Sequence, residues 1–252
     1  MEVHYPTIDE PATPEYVLAV LRDMHRQQCQ FDPEADSSAV LSMDTTVEEW
    51  RDACGLVRWR QLAHAYNEMW QLNCSDAEWR QVLEPAHRKR LAGVCALIAG
   101  RAIRRVIRPS QLLGNSCLSA GAFLTIRSIL NDAGAPANEI APSTPLAPYT
   151  RSYVEAFLGP ISRLAPGALP LVRIRAPVYD TAMLGAGLAL ICSMVGAIIG
   201  SPVLAIFGVV LFAFCYGLTW FAARSLRPAS VEFGELRTFR DLAIVIVDGK
   251  ST

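Results

Sequence analysis

Four groups of side chains in this chain have types and spacings that bear on chemistry. Cys117 follows Gly114-Asn115-Ser116 where a helix is expected to start. Unpaired amides and the helix dipole at such a position lower a thiol's pKa and make it a nucleophile. A buried cysteine beside an ordinary Asn or Ser cap fits the same residues and is the favoured reading. His64 and Glu68 stand four apart on an expected helix, a spacing at which two metal ligands share a face, with His87 and Cys74 or Cys95 as conceivable additions. No second paired motif accompanies them, so ordinary surface or core positions are favoured over a metal site.

The third group is Arg101, Arg104, Arg105 and Arg108. On a helix they fall on one face, leaving Leu91, Val94, Cys95, Ile98 and Ala102 for a core. That face suits an anionic membrane surface or an acidic protein surface, the chain's own included, ahead of plain solvent or nucleic acid. The fourth group, Trp50, Trp59, Trp70 and Trp79, matches no repeat and reads as core. No Gly-rich phosphate loop, HExxH, GxSxG or paired CxxC is present, which argues against the commoner NTPase, zinc-protease, hydrolase and zinc-ribbon readings and only against those; no cofactor is expected.

Helices must position these residues. Thr13-Pro14-Glu15 opens an amphipathic pattern through about Gln28, with Pro14 suited to the first helical position. Thr46-x-x-Glu49 and Ser75-x-x-Glu78 each resemble a capping box. Leu62, Ala65, Tyr66, Met69 and Trp70 keep helical spacing between them. One helix is expected from about Pro85 to Ile107, another from Asn115 to Asn131 before Asp132-Ala133-Gly134, and no strand pattern competes before the tail. The run Leu242 to Val247 is β-prone and too short to cross a membrane.

Charge is asymmetric beneath a formal net charge of -1. Residues 1–52 are acidic, whereas 86–109 carry seven Arg or Lys residues and no carboxylate. The 7 cysteines are odd in number and scattered, which argues against a disulfide framework and for a reducing compartment. The opening residues lack the basic and apolar regions of a cleaved leader.

Two segments dominate the C-terminal part. Thr181 to Gly200 and Val203 to Ala223 hold no charged residue, and about 20 helical residues span a hydrocarbon core of about 30 Å. Ser201-Pro202 allows only a tight turn. Small residues Gly185, Ala189, Cys192, Gly196 and Gly200 recur at spacings of three and four, a smooth face for close packing of the two spans. Arg163, Arg173 and Arg175 precede the spans and Arg224, Arg227, Arg237 and Arg240 follow, so the positive-inside rule places both ends in the cytoplasm. Tyr179, Tyr216 and Trp220 suit the cytoplasmic interface.

The expected class is mainly α: a helical soluble domain at 1–132, a proline-rich connector at 133–180, a transmembrane hairpin at 181–223 and a short cytoplasmic tail at 224–252. The chemistry points to a membrane-anchored adaptor or assembly protein, or a subunit of a larger membrane complex, with the bilayer and a protein partner or second copy as its contacts. The alternative is a membrane-bound enzyme using Cys117 or His64 with Glu68.

Overall fold

Three helix starts follow directly from their capping residues in the computed structural model, which describes residues 7–56, 58–112, 115–175, 177–225 and 230–249. Thr13 accepts the Tyr16 amide at the head of α1 (Pro14–Gln28). Capping boxes at Thr46 with Glu49 and at Ser75 with Glu78 open α2 (Val47–Ala53) and α4 (Asp76–Leu83), each satisfying two otherwise unpaired amides. Between them lies α3 (Trp59–Trp70), and α5 (Leu91–Ala99) follows.

These helices enclose one aromatic core. Tyr66 stands edge-on to Trp50 at 5.8 Å and to Trp79 at 6.1 Å between ring centroids. Trp79 Nε1 donates to Asn67 Oδ1 at 2.9 Å, giving a buried indole its partner. Trp50, Trp70 and Trp79 are buried, and Trp59 packs at the edge of the same cluster.

The remaining α-helices among the described residues are α6 (Leu118–Asp132), α7 (Ala147–Ser152), α8 (Val154–Ala156), α9 (Pro177–Ile198), α10 (Pro202–Ser225) and α11 (Phe239–Asp248), with single-turn helical segments between some of them. Three antiparallel or paired two-stranded ribbons accompany them. β1 (Thr7–Pro11) pairs with β2 (Ile103–Ile107), β3 (Ser110–Leu112) with β4 (Asn115–Cys117), and β5 (Val172–Arg175) with β6 (Ser230–Phe233).

Two compact units result, one comprising Met1–Arg173 with Glu232–Thr252, the other Ile174–Val231. In the first, the proline-rich stretch is sewn onto α1 by that helix's polar side. Buried Asp23 accepts from Arg26 at 2.7 Å and from the Ser162 hydroxyl. Arg26 Nη2 also donates to the Leu169 carbonyl at 2.6 Å, while Gln27 donates to Pro170 O at 3.1 Å and accepts the Val172 amide at 2.9 Å. Prolines leave carbonyls without a helical donor, and these side chains supply one.

Three local expectations are overturned. The helix expected from Pro85 to Ile107 is instead a single turn at Ala86–Arg88 followed by α5 from Leu91 to Ala99, with Gly100 as its C-cap, and residues 103–107 are strand, because three of those five residues are β-branched and β1 offers complementary charge. Pairing of β1 with β2 and of β3 with β4 also supplies strands well before the tail. The apolar run at 242–247 lies within helix α11, not a strand. Thr238 and Asp241 form a capping box at its start, and Phe239, Leu242, Ala243 and Ile246 bury a helical stripe, so capping and packing on α6 outweigh β propensity. Leu146 N–H donates to Arg237 O at 2.9 Å and fixes the same junction.

The second unit is the helical pair α9 and α10. Gly200 adopts a left-handed φ of +69° after α9, and Pro202 occupies the first turn of α10, which makes the tight reversal.

Candidate functional site

The two C-terminal helices meet along small residues. In α9 the buried positions are Ala182, Ala186, Ala189 and Gly196, while Gly185 and Cys192 are half-buried. In α10, among the residues whose burial is described, they are Gly208, Cys215 and Thr219, at spacings of seven and four, so both stripes follow helical periodicity. A β-carbon on Gly208 would lie 2.5 Å from the Ser193 amide nitrogen and 2.8 Å from the Ala189 carbonyl oxygen. On Gly185 it would meet Cys215 Sγ at 3.0 Å. Gly200 lies in the turn, exposed, and takes no part in the seam. Gly208, Cys215 and Thr219 escaped the sequence reading, although their spacing is visible among the larger residues of that segment.

The outer surface is the reverse. Leu184, Leu188, Ile191 and Ile198 on α9, and Val203, Ile206, Phe207, Val210 and Phe214 on α10, are exposed. Of the windows Thr181–Ile198 and Pro202–Phe221, only 22% and 18% are buried, and their mean hydropathies are 2.0 and 2.2. Both helices are long and apolar enough to cross a membrane.

The arginine cluster is dispersed over different surroundings. Arg101 donates to Glu78 Oε1 at 2.5 Å and to Cys74 Sγ at 2.8 Å. Arg104 and Arg105 are neighbours in β2, so their side chains leave on opposite faces, contrary to the expected single helical face. Their cross-strand partners are Glu10 and Asp9 respectively. Arg104 reaches Glu10 at 2.9 Å, and Arg105 reaches Asp132 at 3.8 Å. Arg108 is exposed just beyond the strand.

Cys117 is the N-cap of α6 and the last residue of β4, half-buried, with no hydrogen bond from its thiol to any described residue; Gly114 lies outside the described residues. His64 Nε2 lies 3.3 Å from Glu68 Oε1 on the exposed side of α3. Cys74 and Cys95 are buried in the core, and among the described residues no three His, Cys, Asp or Glu side chains converge.

A feature without a sequence signature is a cleft of about 500 Å³ in the first unit, between α1, the end of α3, β2, the end of α6 and residues 155–164. Tyr16 and Trp70 form an edge-to-face pair at 6.2 Å in its wall. Arg163 lies over the Trp70 ring at 5.2 Å, donates Nη1 to Met69 O at 3.0 Å and receives the Tyr16 hydroxyl on its carbonyl at 2.8 Å. Burial pulls the Arg163 pKa down, and nearby Arg105 lowers it further against the opposing influence of Tyr16. Burial likewise raises the Tyr16 pKa. Asp9, Asp132 and Glu155 line the same cleft and are exposed. Sequence reading missed it because its residues come from five separated segments.

No protein family, curated protein or solved structure matches this chain. Its function therefore rests on its own physical chemistry.

Proposed function

We propose that the chain is a membrane-anchored adaptor or assembly protein: α9 and α10 cross the bilayer as a hairpin, and the larger helical unit binds partners at the membrane surface. The observation that carries this reading is the outward apolar surface of both helices, whose apolar windows are only 22% and 18% buried. A core helix of a water-soluble protein buries its apolar residues, whereas lipid favours this surface. The inner seam satisfies the other requirement of a membrane pair, close backbone approach through small residues.

The flanks support a two-span topology. Residues before and after the hairpin belong to the same compact unit, with α11 packed on α6. A chain that leaves one folded unit and returns to it crosses a bilayer an even number of times. The arginines on both flanks, with none in the turn, favour the cytoplasmic side for that unit.

Carbonate extraction of membranes from cells making the full chain tests the anchoring. Retention in the membrane pellet is expected, and release into the supernatant overturns it. Purification in mild detergent then tests the adaptor role, which requires a stoichiometric partner or a second copy.

A further inference from the structure

We infer that the cleft beneath Tyr16 and Trp70 is a binding site for a small zwitterion of about amino-acid to dipeptide size, its carboxylate held by Arg163 and its ammonium by the carboxylates at the mouth. This goes beyond the anchoring role and stands independently of it. The volume of about 500 Å³ falls within the range of small-molecule sites. Met69, Ile103, Ile129 and Leu164 supply apolar lining beside the two aromatic rings.

Arg163 is the distinguishing group. Its charge lies against Trp70 and is largely withdrawn from water, yet no carboxylate among the described residues comes within ion-pair distance of it. Among the described residues only Met69 O engages the guanidinium, through Nη1, so most of its five N–H donors remain for a ligand. A partly desolvated cation without a counter-ion is unfavourable, and an incoming carboxylate relieves that state. Arg105, by contrast, has the Asp132 carboxylate at 3.8 Å and stands opposite Asp9 in the strand register.

The mouth has the opposite sign. Asp9, Asp132 and Glu155 are three carboxylates against the single Arg105. A ligand carrying only a carboxylate meets repulsion there, and one carrying only an amine meets Arg163. A zwitterion of apolar body matches both ends.

The test uses the full chain in detergent micelles, labelled with 15N in its tryptophan indoles. The Nε1–H of Trp70, whose ring lies against Arg163, serves as reporter and is assigned through Trp70→Phe. Phenylalanine, 3-phenylpropionate and phenethylamine are titrated separately. Phenylalanine is expected to shift the Trp70 resonance saturably and to bind more tightly than either analogue, with phenethylamine weakest. Arg163→Gln should weaken phenylalanine about tenfold or more, as loss of a charge-assisted contact implies. If that variant fails to fold, Glu155→Gln at the exposed mouth should selectively weaken phenylalanine while leaving 3-phenylpropionate no weaker. No saturable shift with phenylalanine, tightest binding by either analogue, or unchanged phenylalanine affinity in a folded Arg163→Gln protein overturns the assignment.

Discussion

Gly208 of α10 lies so close to Ser193 of α9 that a β-carbon on the glycine would sit 2.5 Å from the serine's amide nitrogen. Backbone, rather than a movable side chain, blocks that space. Gly208→Leu should therefore force the helices apart and lower hairpin stability by about 1–3 kcal/mol, the range for overpacking. Gly187→Leu, where a β-carbon meets nothing within 4 Å, is the matched control and should be close to neutral. Thermal unfolding in detergent distinguishes them. Equal effects at the two sites would show that the seam does not hold the pair.

The capping box at α4 gives a pH prediction. The Ser75 backbone amide, Arg101 and the Ser75 hydroxyl hold the Glu78 carboxyl at about 2, below its ordinary 4.5. A depressed folded pKa stabilises the fold above the ordinary value, and that contribution is lost as pH falls from about 4.5 through about 2. Glu78→Gln should flatten the acid limb of the melting-temperature profile over that window relative to the native chain. Ser75→Ala, which removes the hydroxyl cap, should cost about 1 kcal/mol near neutral pH.

Arg104 and Glu10 face each other across β1 and β2 at 2.9 Å, both partly exposed. A double-mutant cycle with Arg104→Gln and Glu10→Gln should return a coupling of about 0.2–1 kcal/mol, shrinking as salt is raised. Zero coupling at low salt would mean that the acidic and basic segments do not recognise each other through this pair.

Phe239 is fully buried in α11 and edge-on to Tyr149 at 5.3 Å between centroids. Phe239→Ala should cost about 3–5 kcal/mol, as truncating a buried aromatic generally does. Ile244 on the same helix is exposed, and Ile244→Ala should change stability by less than about 0.5 kcal/mol. Chemical denaturation of both variants checks this, and a near-neutral Phe239→Ala would mean that α11 is not part of the larger unit.

What could be read from the sequence was what depends on near neighbours. Thr46 with Glu49 and Ser75 with Glu78 lie within one turn of each other, so their capping is encoded locally. The apolar segments and their Ser201-Pro202 turn are likewise continuous in sequence. Failures came where distant partners decide. Residues 103–107 extend because Asp9 and Glu10 pair with them from almost a hundred positions away, and residues 239–248 coil because α6 accepts their apolar stripe. The cleft needs Tyr16, Trp70, Arg105 and Arg163 together, and no spacing along the chain announces that meeting.

In the proposed topology α9 and α10 cross the bilayer twice, with the larger unit wholly on one side. Topology reporters placed at Met1, after Ser201 and at Thr252 of the full chain test it most directly. Met1 and Thr252 are expected to report the cytoplasm and Ser201 the opposite compartment. A Ser201 reporter on the same side as both ends, or ends on opposite sides, would contradict it.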